Sequence, residues 1–314
     1  MKEILKIKFC DFWGDLDKEN NLFTELLTPY YEVKQSENPD VLFYSCYSFN
    51  HLKYKCHKIF YTGENVRPDF NECDFSLSFD WNDYKKKNFR LPLFAWSPSL
   101  AKLCKKLPSK EIAATKSKFC CFVVGNQEAK ERIDFFHKLS QYRKVDSGGS
   151  FMNNVGKVYS QAEKRNFIKD YKFIIAFENS CYPGYTSEKI LQPMQVNCLP
   201  VYWGNPAIGR DFNTKSFINV HDYNSFDEVI EEIIKIDTDD QLYYKYLDEP
   251  YFTNDRVPAT LERDFMAEEL KNIIESFEDT KPVSSKSLKR IYQYAHMYKR
   301  RFFARVYQKQ HWYC

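Results

Sequence analysis

Tyr171-Lys-Phe-Ile-Ile-Ala-Phe-Glu-Asn-Ser-Cys-Tyr-Pro-Gly-Tyr-Thr-Ser-Glu-Lys-Ile-Leu-Gln-Pro-Met-Gln-Val-Asn-Cys-Leu-Pro-Val-Tyr-Trp-Gly-Asn-Pro206 decides how this chain folds. Residues 173–177 are a short apolar run and read as a buried strand. A polar turn follows, a helix is expected to open at Thr186, and residues 199–203 form a second apolar strand. Strand, helix and strand make a βαβ unit, and in open α/β sheets ligands bind beyond the carboxyl ends of the strands. Glu178, Asn179, Tyr185, Glu188 and Lys189 all fall at that edge. Lys189 stands in the first turn of the helix, where the dipole disfavours a cation, and an anionic ligand would offset this.

The alternation continues on both sides. Apolar runs at 4–9, 41–44, 58–61 and 75–79 are separated by helical or polar stretches, 16–27 among them, which implies a parallel sheet. Residues 104–118 are polar and basic and read as a connector. Strands at 119–124, 171–177, 199–203 and 217–220 then alternate with helices at about 127–141, 186–197 and 225–236. The fold class is therefore α/β, with two Rossmann-like domains, 1–108 and 109–280, facing a cleft in the architecture called GT-B. The tail, 281–314, differs: it holds no Asp or Glu, eight basic residues after Lys281, and interleaved aromatics. Leu288, Ile291, Tyr292, Ala295, Tyr298 and Phe302 recur at helical spacing, so one face is apolar.

A chain of 314 residues has room for two such domains. Its net charge of +3 is too small to argue for nucleic acid. No apolar stretch is long enough to span a bilayer, and the start, Met1-Lys-Glu-Ile-Leu-Lys, lacks a signal-peptide core. None of the ten cysteines forms a Cys-x-x-Cys pair, so reduced cytosolic thiols are expected and a zinc site is not. The six histidines show no metal-ligand spacing, and His221 is expected to make a structural hydrogen bond.

Phe177-Glu-Asn-Ser, Gly184-Tyr-Thr-Ser-Glu-Lys-Ile190 and Leu199-Pro-Val-Tyr-Trp-Gly204 resemble the donor-binding signature of the α1,3-fucosyltransferases, glycosyltransferase family ten, above all its bacterial members. Phe9-Cys-Asp-Phe-Trp-Gly-Asp15, Phe60-Tyr-Thr-Gly-Glu-Asn65, Arg90-Leu-Pro-Leu93, Phe122-Val-Val124, Val145-Asp-Ser-Gly-Gly149 and Ser216-Phe-Ile-Asn-Val-His-Asp222 are similar in content and order. Several co-linear motifs are far more specific than one short pattern. Ser187 departs from the family's usual Thr but keeps the hydroxyl, and the tandem seven-residue repeats of some bacterial relatives are missing. The resemblance implies the GT-B fold, with the acceptor on the first domain and a nucleotide sugar on the second.

Moving a sugar from a nucleoside diphosphate needs a base for the acceptor hydroxyl and positive charge for the leaving diphosphate. The two bare Asp-x-Asp patterns, Asp15-Leu-Asp17 and Asp237-Thr-Asp-Asp240, are poorly placed for a metal clamp, and the second reads as a solvated helix-end turn. Fixed cations are the expected clamp, with no metal and no cofactor. The resemblance assigns diphosphate contacts to Arg132 and Lys189. From residues alone, an i,i+4 surface pair with Glu128 is the favoured reading of Arg132, and a solvated first-turn lysine is the alternative for Lys189. Asn179, Tyr185 and Glu188 are carried over as nucleotide-sugar contacts, with helix capping open for Glu188; the role of Glu178 stays open, a brace for the turn being one reading. The base is sought in the first domain. Glu64 follows a strand and a Gly turn, where partial desolvation suits a general base and where a turn carboxylate fits as well. The resemblance assigns the base to Glu64.

The expectation is thus an inverting transfer of L-fucose from GDP-β-L-fucose to the 3-hydroxyl of N-acetylglucosamine in an N-acetyllactosamine-type glycan. Its alternatives are a GT-B enzyme using another nucleotide sugar and a noncatalytic nucleotide-sugar or glycan-binding protein. The tail suits an anionic membrane surface, which would put the protein in the cytoplasm, peripheral at the inner membrane face; a terminal helix packed on its own protein fits it equally.

Overall fold

Strands β1 (Glu3–Cys10), β2 (Tyr31–Gln35), β3 (Val41–Tyr44), β4 (His57–Tyr61), β5 (Phe75–Ser78) and β6 (Asn88–Arg90) form one sheet in the order β2-β1-β3-β4-β5-β6. Strands β7 (Lys118–Phe122), β8 (Val145–Ser147), β9 (Tyr171–Phe177), β10 (Leu199–Trp203) and β11 (Ile218–Asn219) form another, in the order β11-β10-β9-β7-β8. Pairs β1–β2, β1–β3 and β3–β4 are parallel, as are all four pairs of the second sheet. Counted within itself, the first sheet runs 2-1-3-4-5-6 and the second 2-1-3-4-5, a doubly wound order whose direction of winding reverses between its first and third strands. The computed structural model describes residues 2–125 and 129–283. Among the described residues two compact units emerge: one holds residues 2–61, Pro68–Ser76 and residues 270–283, and the other holds Thr62–Arg67 and the described part of Leu77–Glu269.

In the first unit, helix α1 (Leu22–Leu27) is shorter than the 16–27 stretch expected, because Asn21 caps it. The Asn21 side chain accepts from Phe23 N and Thr24 N, while Thr24 Oγ1 accepts from Asn21 N, closing a reciprocal capping box. Phe23 of α1 stacks on Phe9 of β1 and Phe43 of β3, which builds the core there. At the β1/β3 reversal, the left-handed Asp11 accepts from His51 N and pairs with His51 Nδ1 at 2.7 Å. His51 Nε2 meets Glu72 at 3.2 Å, and the ring stacks on Tyr44 at 3.9 Å. Val283 N donates to Asp74 Oδ1 at 2.7 Å, and Lys58 Nζ donates to Val283 O. The basic helix expected at 281–314 lies, from residue 284 on, outside the described residues.

In the second unit, β9 is buried on both faces, as its unbroken apolar sequence demands. Phe173, Ile175 and Phe177 pack on one face with residues of α3 (Lys130–Tyr142) and α6 (Phe226–Thr238). Ile174 packs on the other with Phe167 and Ile168 of α4 (Gln161–Ile168), and Tyr171 at the start of the strand joins the same cluster. Helix α5 (Glu188–Met194) crosses from β9 to β10, and α7 (Asp240–Asp248) follows α6. The stretch 104–118 is not a free connector: it contains α2 (Ser109–Ala114), whose Ile112 is buried in the same core. Its lysines mislead because Lys106 and Lys116 donate to backbone carbonyls of Glu249, Lys169 and Val196 instead of facing water. Helix α8 (Arg263–Glu275) completes the described helices. No helix among the described residues is long and apolar enough to cross a membrane.

Candidate functional site

The crevice of the second sheet opens at its β7/β9 reversal, where a doubly wound sheet binds its ligand. Arg132 reaches this point from α3, after β7, and Asn179 from the turn after β9. Arg132 Nη1 donates to Asn179 Oδ1 at 2.9 Å. Arg132 is 1% exposed, so it is an inward residue and not one side of a surface pair. Burial lowers its pKa, while the nearby Glu178 carboxylate acts to restore it.

Glu178, fully buried, organises the start of α5. One carboxylate oxygen accepts from Ser187 N and the other from Ser187 Oγ, both at 2.7 Å. Lys189 Nζ donates to Glu178 Oε2 at 3.1 Å and to Ser187 Oγ at 3.0 Å. The helix therefore opens at Glu188 with Ser187 as its cap, not at Thr186. Burial works against the Lys189 charge, but Glu178 and Glu188 outweigh it and raise its pKa above the ordinary lysine value. For Glu188, burial opposes the charge, and Lys189 with Lys164 of α4 pulls its pKa down. Gly204, just beyond β10, makes the packing possible. Its φ is +150°, and a Cβ there would stand 2.5 Å from Glu178 Cγ and 2.6 Å from Glu178 Cβ.

The loop between β9 and α5 is held from several directions. Gly184 N donates to the buried Asn205 Oδ1 at 2.7 Å, and Asn205 Nδ2 donates to Thr186 Oγ1 at 2.9 Å. Arg90 donates to Gly184 O and makes two 2.8 Å bonds to Asp211. Asn65 Nδ2 donates to Ser180 Oγ at 2.7 Å, and the Arg67 guanidinium lies 3.4 Å from the Tyr182 ring centroid. These contacts fix the segment Thr62–Arg67, which carries Glu64, against the β9–α5 loop within one unit. Glu64 is half-buried, and its N donates to Thr62 Oγ1 at 2.9 Å. Tyr185 is 2% exposed; burial raises its phenol's pKa, and Glu178, Glu64 and Glu188 raise it further. All six residues singled out from the sequence are thus in the second unit, although Glu64 was sought in the first domain.

The rejected aspartates are explained differently from expectation. Asp237 is not solvated: its side chain is 5% exposed and is tied to Arg143 at 3.0 Å and Lys172 at 3.2 Å. The helices α6 and α7 abut there, and Asp239 caps the second of them. Asp17 accepts from Glu19 N and Asn20 N in a local turn. His221 does make a structural bond, accepting from Gly204 N at 3.4 Å.

Sequence reasoning missed Asn205, the Arg90–Asp211 pair and Lys164. Asn205 had a signal, since a polar residue right after an apolar strand and before Pro206 marks a turn anchor. Arg90 and Asp211 are separated by 121 positions, and no local pattern joins them. Lys164 is 6% exposed and its pKa is lowered by burial, yet in sequence it resembles any helix lysine. The assembled chemistry is fixed positive charge from Arg132, bonded to Asn179, and from Lys189, bonded to the buried Glu178, with the half-buried carboxylate of Glu64 on a segment tied to the same loop.

Two family models match the chain: Alpha-(1,3)-fucosyltransferase FucT N-terminal domain over residues 7–96, and Glycosyltransferase family 10 (fucosyltransferase) C-term over residues 113–296. The chain is 32% identical to the alpha-(1,3)-fucosyltransferase FucT of Helicobacter pylori, across 77% of this chain and 59% of that protein. It is 34% identical to a putative fucosyltransferase of Acanthamoeba polyphaga mimivirus, across 48% of this chain and 26% of that one. It therefore spans less than two thirds of the length of these relatives. A crystal structure of an alpha1,3-fucosyltransferase with GDP-fucose matches with a TM-score of 0.75 and 27% identity, covering 90% of this chain and 93% of that one. A structure with GDP matches at the same TM-score and identity, covering 91% and 94%. The two parallel α/β sheets are accordingly of the GT-B type.

Proposed function

Because the chain belongs to glycosyltransferase family 10, the fucosyltransferases, we propose that it transfers L-fucose from GDP-β-L-fucose to the 3-hydroxyl of N-acetylglucosamine in an N-acetyllactosamine-type glycan. The reading is carried by one observation: Arg132 and Lys189 converge on the end of β9, each braced by a neighbour from the same loop, at 2.9 Å and 3.1 Å. Fixed donors need no reorganisation when charge develops on a departing group, which is where such groups act most strongly.

In the proposed step, the acceptor O3 attacks the fucose anomeric carbon from the face opposite GDP. The new C–O bond forms as the bond to the β-phosphate oxygen breaks, and the configuration inverts. The acceptor proton passes to Glu64, and the electron pair leaves with GDP toward Arg132 and Lys189. Tyr185, Asn179 and Glu188 contact the nucleotide sugar. No metal is required, so activity survives excess EDTA; loss restored by Mn²⁺ would overturn that part. The basic tail, 281–314, attaches the enzyme to an anionic cytoplasmic membrane face, where each basic residue contributes about 1 kcal/mol. The test of the whole reading is incubation with GDP-fucose and N-acetyllactosamine, with the product linkage determined. An α1,3-fucosylated product is expected, and turnover with another nucleotide sugar alone, or binding without turnover, would replace the proposal.

A further inference from the structure

At the far end of α5 from Lys189, roughly 9 Å along the helix at 1.5 Å per residue, lies a cavity of about 480 Å³. That volume is within the range of small-molecule sites, about 300–1,000 Å³. Five cations line it, Lys102, Lys105, Lys106, Arg165 and Lys169, and no Asp or Glu is among its described lining residues. Four of them, Lys102, Lys105, Arg165 and Lys169, are exposed and Lys106 is half-buried, so the hollow is a solvent-reachable electropositive site that favours an anion.

Local bonding does not use every donor at the rim. Lys106 Nζ donates to Glu249 O at 2.6 Å and lies 4.0 Å from the Tyr251 ring centroid. An ammonium has three N–H donors, so others remain. Burial lowers the Lys106 pKa to about 8, against the pull of Asp248, Glu249 and Asp255, which do not line the cavity. Gln195 Nε2 donates to both Ser97 Oγ and Ser99 Oγ at 3.0 Å. These hydroxyls lie 3.1 Å apart, so one donates to the other and one O–H is left to point elsewhere. None of Arg132, Asn179, Tyr185, Glu188 or Lys189 takes part.

We propose that this cavity binds a phosphoryl group, free or esterified, as a second anion site distinct from the crevice at β7/β9. Ammonium, guanidinium and hydroxyl donors together match the acceptor oxygens of phosphate.

The test is isothermal titration of the full chain, preloaded with saturating GDP so that the crevice is filled, using inorganic pyrophosphate and glucose 1-phosphate as probes. Saturable binding of at least one is expected, weakened tenfold or more in Lys105→Glu/Lys169→Glu, whose two positions are exposed. GDP affinity of that variant stays within twofold of wild type, which shows it folded, and Lys105→Arg/Lys169→Arg keeps the probe affinity. Tighter glucose 1-phosphate identifies an esterified source, and tighter pyrophosphate a free one. No saturable binding of either probe to the wild type, or undiminished binding to the glutamate variant, overturns the proposal. If GDP itself does not bind, the donor reading fails, and the wild-type-versus-variant difference still decides the cavity.

Discussion

Both sheets wind in the same order and open at the same place, between their first and third strands, yet they fill that opening in opposite ways. In the first sheet, Asp11, His51 and Glu72 bond to one another and Tyr44 covers the imidazole, with Asp11 8% and His51 2% exposed. In the second, the buried Arg132 reaches an exposed Asn179, and Lys189 shares Glu178 with Ser187. Topology places a crevice, but the residues at the strand ends decide whether the protein closes it or leaves it for a ligand. The first set should therefore govern stability and the second should govern catalysis.

The largest test is His51→Ala, which leaves two buried carboxylates facing each other without their shared partner. Removing one member of such a buried set costs about 3–5 kcal/mol. Chemical denaturation should show a loss of that size, and a loss below about 1 kcal/mol would break the contrast. Next, Glu64→Gln should cut transfer about a hundredfold or more, the scale for a lost general base, with GDP affinity and denaturation midpoint unchanged. Near-normal turnover would remove Glu64 from the base role. Lys189→Ala should weaken GDP binding about tenfold, as expected for a charge-assisted contact worth about 1.5 kcal/mol, because Glu178 also loses its counter-ion. Unaltered affinity by titration would leave the second crevice no more functional than the first.

The smallest effect is on pH. Burial works to raise the Asp11 pKa, but bonds from His51 and Asn50 outweigh it and hold the carboxyl below its usual range. A carboxyl depressed in the folded state contributes stability above its unfolded pKa, about 3.9, and loses it as pH falls through the folded value. The wild-type melting temperature should thus fall more steeply below about pH 4 than that of Asp11→Asn. Parallel curves would show that Asp11 gains nothing from its neighbours.

The second crevice was far more legible in sequence than the first. Apolar strands of β9 and β10 bracket a polar loop, so strand ends and functional residues sit within one readable stretch. Asp11, His51 and Glu72 are dispersed over three loops and carry no periodic signal, and the folded chain alone joins them. Short or edge strands were missed for a related reason: β8 has three residues and β2 mixes charge with apolar positions, too little for period-two alternation to show. The stretch 104–118 misled because a lysine looks alike in sequence whether it meets water or a carbonyl. The sequence leaves the role of Glu178 open between the donor edge and a turn brace; the fold makes it the anchor of Ser187 and Lys189, through a rotamer that composition does not reveal.

The contact between Glu178 and Gly204 also bears on how this region can be recombined. At +150° and with the carboxylate stem pressed against its missing side chain, residue 204 is a negative imprint of residue 178. A chimera with a crossover between the two inherits mould and cast from different parents. Exchange within that span should succeed only when the incoming segment brings a glycine at 204, or when the residue at 178 shrinks with it. A library that randomises 204 alone is expected to return almost nothing but glycine among its active members, because any side chain there collides with Glu178.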